Sequence, residues 1–184
     1  MGAFFYYLAL PFIYLVSYLP FRVLYLLSDL MYLLLYRVIG YRKAVVTANL
    51  ERSFPEKTPE EIAAIRSGYY RYFCDLCLEV IKTLTIPSAA TKAHFSSDDM
   101  SVFEHYRDKK QSVIIVMGHL GNWELCGAWF SQLPLHHLYV LYHPLKSKHF
   151  DGLFYRMRTR HGTRLYAMKK AFRGMVRDRG ELTA

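Results

Sequence analysis

Cysteine is scarce in this chain. Cys74, Cys77 and Cys126 are the only three among 184 residues, too few and too unevenly spaced for a disulfide framework, so the globular part is expected in a reducing compartment, the cytoplasm. Cys74 and Cys77 form a C-x-x-C, but no second pair follows and the spacing falls inside a helical apolar pattern. Two small core residues one turn apart are therefore expected rather than a redox or metal motif. Helix-turn-helix, zinc-finger and RNP signatures are also missing, which leaves nucleic-acid binding with nothing but charge to support it, and no nucleic acid is expected as a partner. No internal repeat or low-complexity linker is present. The N-terminus lacks a charged n-region and an Ala-x-Ala cleavage site, so it is expected to stay attached.

Acids are outnumbered: 24 Lys and Arg face 15 Asp and Glu, a formal charge of +9, while 53% of the residues are hydrophobic. A basic chain with slightly positive mean hydropathy, +0.05, fits a membrane-surface protein that seeks anionic partners. From Ala3 to Leu19 the sequence is almost wholly apolar, and after Pro20 a second apolar stretch runs from Phe21 to Ile39, interrupted by Arg22, Asp29 and Arg37. Neither reaches comfortably the roughly 20 residues of a bilayer span. Tyr6, Tyr7, Tyr14, Tyr18, Tyr25, Tyr32 and Tyr36 favour the headgroup interface, and Asp29 argues against deep burial in lipid. Residues 1–40 are expected as an anchor, one helix inserted or half-inserted and the next on the surface; the alternative is a pair of buried helices in a soluble bundle. Arg37, Arg42, Lys43 and Arg52 then place residues 41–184 on the cytoplasmic side.

Thr58-Pro59-Glu60-Glu61 is a capping box with proline at the first helical position, a strong helix start. Ile62, Ile65, Tyr69, Tyr72, Phe73, Leu76, Val80, Ile81 and Leu84 recur at helical spacing and predict the buried face, up to Pro87. Short β-branched or aromatic runs at Ser112–Met117, Leu138–His143 and Thr163–Met168 predict strands, with helices between them at about Asn122–Gln132 and Lys146–Arg160. Alternating strands and helices imply an α/β fold with a mostly parallel central sheet, preceded by N-terminal membrane-associated helices.

Between the first expected strand and its helix lies Gly118-His119-Leu120-Gly121-Asn122-Trp123-Glu124. In open α/β sheets, strand C-termini and helix N-termini converge on a crevice at such a point, and the two glycines permit a sharp turn. Five residues apart on one continuous helix, His119 and Glu124 would diverge. With His119 in the turn and Glu124 in the first helical turn, the carboxylate can fold back toward the imidazole. Acyl transfer to an alcohol needs a base for the hydroxyl proton, which neutral imidazole supplies at cytoplasmic pH; a carboxylate on the other ring nitrogen fixes its tautomer. No G-x-S-x-G elbow is present, which favours direct attack by the acceptor. Two other readings fit the same residues: a histidine beside a helix N-terminus with no chemistry, or two ligands of a metal site completed by His136, His137, His143 or His149, although no H-E-x-x-H spacing supports the latter and no metal is expected.

His119 to Glu124 is an H-x-x-x-x-E, and the surrounding heptapeptide resembles the lipid A late-acyltransferase branch of the lysophospholipid acyltransferase superfamily. The resemblance continues through the apolar anchor, Asn49-Leu50-Glu51-Arg52-Ser53-Phe54-Pro55, the capped helix, Tyr142-His143-Pro144-Leu145-Lys146 and Arg156-Met157-Arg158, covering nearly the whole chain. It implies transfer of a fatty acyl group from acyl carrier protein or acyl-CoA to a hydroxyl of a lipid A precursor, on the cytoplasmic face of a bacterial inner membrane and without a cofactor. His119 and Glu124 are then the catalytic pair, and Arg158, Asn122 and Arg164 the expected substrate contacts, Arg158 through bidentate binding of phosphate or carbonyl oxygens. The chain departs from the family at His143, where an arginine is usual, and at Ala184, where members run on; a C-terminally truncated acyltransferase domain is expected. From Tyr142 to Arg179 eleven Lys and Arg stand against Asp151 and Asp178, a surface suited to an acidic carrier or anionic lipid. Acylation of a glycerophospholipid or another glycolipid, and a membrane-bound module without catalysis, are the alternatives.

Overall fold

The computed structural model describes residues 2–184. It divides into two compact units, Leu19–Glu79 on one hand and the N-terminal helix with Val80–Ala184 on the other.

The Leu19–Glu79 unit is helical. Helix α2 (Phe21–Tyr32) runs directly into a π-helical stretch, Leu33–Ile39. Gly40 ends it in the left-handed region at φ 65°, a conformation that favours glycine. Helices α3 (Lys43–Ser53) and α4 (Pro59–Lys82) follow. The capping box forms as read: Thr58 N donates to Glu61 Oε2 at 2.9 Å, and Glu61 N donates to Thr58 Oγ1 at 3.3 Å. The buried face of α4 differs from the expected one. Ile62, Tyr70, Cys74 and Leu78 are buried, whereas Tyr69 and Tyr72 are 42% and 45% exposed. The physical reason is an aromatic ladder that draws Tyr70 inward: Tyr32 stacks on Tyr36 at 5.3 Å between ring centroids, and Tyr36 lies 5.0 Å from Tyr70. Tyr32 Oη and Ser67 Oγ share a hydrogen bond at 2.8 Å, and the Tyr70 hydroxyl donates to the Tyr41 carbonyl. Cys74 belongs to this core and Cys77 is half-buried beside it, as the C-x-x-C reading expects.

Among the described residues no single helix is long and apolar enough to cross a membrane. Phe21–Ile39 and Lys43–Ser53 reach that length only together, bent by 94°.

In the second unit, helix α1 (Gly2–Tyr18) docks one edge and leaves the other open. Tyr6 is buried, stacked on His149 at 5.1 Å and edge-on to Phe150 at 5.2 Å. At the C-terminal end of α1, the Ser17 carbonyl accepts from Lys82 Nζ at 3.0 Å and Thr85 Oγ1 at 2.5 Å. The opposite edge carries Phe4, Phe5, Leu8, Phe12 and Leu15, each more than half exposed. Helices α5 (Ser88–His94), α6 (Ser101–Asp108) and α7 (Trp123–Phe130) precede strand β1 (Tyr139–Tyr142), and helix α8 (Lys148–Thr159) connects it to β2 (Arg164–Ala167). The two strands pair in parallel, with Tyr139 opposite Arg164 and Tyr142 opposite Ala167. A short 3-10 turn, Met168–Lys170, leads into α9 (Ala171–Arg177). Trp129, Phe130 and Leu138 form the core, against Phe95, Met100 and Phe103.

Among the described residues this is an α/β arrangement with a smaller sheet than expected: two strands, not three. The run Ser112–Met117, expected as the first strand, has no regular pairing. Val113 N donates to Thr183 O at 2.9 Å, and beyond it Ile114 and Val116 are 85% and 92% exposed. β-Branched residues favour a strand through what packs around them, more than through the backbone alone. Here the place beside the start of β1 is taken by the segment 182–184: His137 N donates to Leu182 O at 2.9 Å and Tyr139 N to Ala184 O at 2.8 Å.

Candidate active site

The turn after Met117 positions the histidine. Gly121 sits at φ 65°, where a side chain would strain the backbone. The next residue, Asn122, is the N-cap of α7, its Oδ1 accepting from Leu125 N at 3.0 Å. A short polar cap of this kind lets the helix start at Trp123 and places Glu124 in its first turn. The His119 ring meets Trp123 edge to face at 4.7 Å and is solvent-exposed.

Glu124 points into the protein, its side chain only 8% exposed. Its partner is an arginine on α8. Arg158 Nε donates to Glu124 Oε2 at 2.9 Å and Oε1 at 3.1 Å, and Nη2 donates to Oε1 at 2.5 Å. These hydrogen bonds to the carboxylate hold the guanidinium proton more firmly than usual, against the opposing effect of burial. The guanidinium also lies over the Phe154 ring, 5.6 Å from its centroid.

His119, Glu124 and Arg158 line one cavity of about 1230 Å³. Its lining is mostly apolar and includes Phe95, Met100, Phe103, Trp129 and Leu138. Tyr142 also faces it, and burial raises its phenol above the ordinary range, so it stays protonated. Cys126 is in the same lining with its thiol pushed up by burial, which keeps it a poor nucleophile.

The residues singled out in the sequence are thus partly gathered. His119 and Glu124 share the cavity, but among the described residues the carboxylate bonds Arg158 and not the imidazole. Asn122 serves as a helix cap. Arg164 is turned to another cluster, where it donates to Glu181 Oε1 at 2.6 Å and to the Tyr139 hydroxyl. The other histidines are dispersed: His136 is buried with Nε2 3.0 Å from the Gln111 carbonyl, His143 is exposed with Nδ1 3.0 Å from the Pro144 carbonyl, and His149 stacks on Tyr6. Among the described residues no group of three or more His, Cys, Asp or Glu could hold a metal ion. The pairing of Glu124 with Arg158 was not legible beforehand, because the two are 34 residues apart and only the packing of α8 on α7 joins them.

A histidine on a glycine-bounded turn and a carboxylate on the first turn of the next helix thus line one largely apolar cavity. The chain belongs to the bacterial lipid A biosynthesis acyltransferase family, whose sequence pattern matches residues 2–181, and it is an acyltransferase by that membership. No individual curated protein matches it.

Proposed function

We propose that this protein transfers a fatty acyl group from acyl carrier protein or acyl-CoA to a hydroxyl of a lipid A precursor, with His119 as general base. The observation that carries the reading is the joint placement of His119 and Glu124 on a cavity large enough and apolar enough for an acyl chain. The acceptor oxygen attacks the thioester carbonyl as the neutral imidazole takes its proton. The tetrahedral intermediate then collapses, the thiolate leaves, and the imidazolium returns the proton to sulfur. Glu124 steadies the imidazole and its developing charge. Arg158 holds Glu124 through its paired hydrogen bonds, and it presents its remaining donor edge to substrate oxygens. Asn122 holds the turn as the N-cap of α7. The exposed edge of α1 attaches the protein to the cytoplasmic face of the inner membrane, where the acceptor resides.

The test is acyl transfer by purified wild type and His119→Ala, followed as ester formation on a lipid A precursor with acyl carrier protein as donor. A drop of about 10² to 10⁴ in rate is expected, with the circular dichroism unchanged; wild-type turnover by the variant refutes the assignment. The exposed run Ile114–Met117 beside the site favours a second reading, a membrane-bound module without turnover. In that case wild type and variant are equally silent.

A further inference from the structure

The element Met168–Arg177 carries a pattern most of which the acyl-transfer chemistry does not use; of its residues Met175 also lines the cavity. Met168, Phe172, Met175 and Val176 follow one another at helical spacing and are 61%, 79%, 51% and 48% exposed. On α9 Phe172, Met175 and Val176 fall on one stripe, and the 3-10 turn before it carries Met168. Lys169 and Arg173 fall on the flank beside it, and Lys170 and Arg177 lie further round the element. Among the described residues Lys169, Lys170 and Arg173 have no acidic partner within 4.0 Å, while Arg177 is paired with Asp178 at 2.7 Å.

The roll of this element is fixed by its buried side. Gly174 sits flush on Tyr166, so close that a Cβ there would lie 2.4 Å from the ring. The Tyr166 hydroxyl donates to Asp178 Oδ2 at 2.5 Å. Gly174 and Asp178, four residues apart, thus face inward, and the apolar stripe with its cationic flank is held outward. An exposed phenylalanine at 79% between two methionines is costly in water, and a one-helix stripe offers no groove for a partner's helix. A stripe flanked by lysines and arginines suits the boundary between acyl chains and anionic headgroups.

We propose that Met168–Arg177 is a second membrane contact, an interfacial segment that lays Phe172, Met168 and Val176 into the headgroup boundary while Lys169, Lys170 and Arg173 bind the phosphates of anionic phospholipid. It deepens the membrane reading above and rests on it only for the bilayer as working surface, not for the chemistry at His119. Its consequence is orientation: with a contact at this element as well as along α1, the cavity would be held in a set attitude to the lipid.

The test uses the full chain with vesicles of equal parts phosphatidylglycerol and phosphatidylethanolamine, and with phosphatidylcholine vesicles as control. Hydrogen exchange over residues 168–177 is expected to slow with the anionic vesicles and not with phosphatidylcholine. In flotation, Lys169→Gln/Lys170→Gln/Arg173→Gln together should weaken binding to the anionic vesicles by on the order of a hundredfold, leaving residual α1-dependent binding and acyl transfer to detergent-dispersed substrate unchanged. Phe172→Ser should lose the exchange protection while keeping the wild-type melting temperature. The proposal is overturned by exchange that is unaltered on anionic vesicles, by a triple variant that binds like wild type, or by protection that arises from acyl carrier protein in place of vesicles. Failure of the acyl-transfer reading shows separately, in the His119→Ala assay.

Discussion

At the scale of single residues, the decisive contact is the one between Glu124 and Arg158. A carboxylate that is 8% exposed is costly to bury unless hydrogen bonds replace the lost water. Arg158→Ala removes them and leaves that charge unpaired. Because Arg158 is itself 26% exposed, we expect a loss of about 2 kcal/mol rather than the larger figure of a fully buried pair, read from the urea midpoint at neutral pH. Arg158→Lys keeps the charge but not the planar fork, and should recover part of the stability while turnover stays low. A pure substrate contact at Arg158 predicts instead a raised KM with unchanged stability. From the sequence His119 and Glu124 stand out, since a glycine-bounded turn and a helix start are local signals. The third member does not, since nothing local joins positions 34 apart.

At the scale of elements, local signals hold where local bonds decide. The start of α4 is visible as Thr58-Pro59-Glu60-Glu61 because the two capping hydrogen bonds close within one turn. Thr58→Ala should therefore cost about 1 kcal/mol, measurable as a shift in the denaturation midpoint without loss of helical content. The face that α4 buries was less legible. Periodicity marks several apolar positions around a tyrosine-rich helix, and the choice of Tyr70 over Tyr69 and Tyr72 depends on where Tyr36 lies. The run Ser112–Met117 shows the same limit: its β-branched composition suits a strand, but a strand needs a neighbour, and residues 182–184 take that place.

At the scale of the whole molecule, the excess of positive charge makes the few paired acids important for acid resistance. Arg177, and then the Tyr166 hydroxyl, hold Asp178 far below the usual carboxylate range, and Arg164, and then Tyr139, lower Glu181. A carboxylate depressed in the folded state contributes stability that is present above its unfolded value and lost as pH falls through the folded one. The melting temperature should accordingly hold from pH 7 to about 5 and fall below about 4, and Glu181→Gln should flatten part of that fall; an unchanged profile in this variant means that the Arg164 pair adds nothing to stability. By itself the sequence determined the basic, apolar character of the chain, the alternation of helices with β-branched segments, the capped start of α4 and the histidine turn, because each rests on composition or on bonds within a few residues. Only the tertiary structure decided that Arg158 clamps Glu124, that the sheet has two strands and that Tyr166 sets the outward face of α9, because each depends on side chains that meet across long stretches of chain, where packing and not spacing chooses the partner.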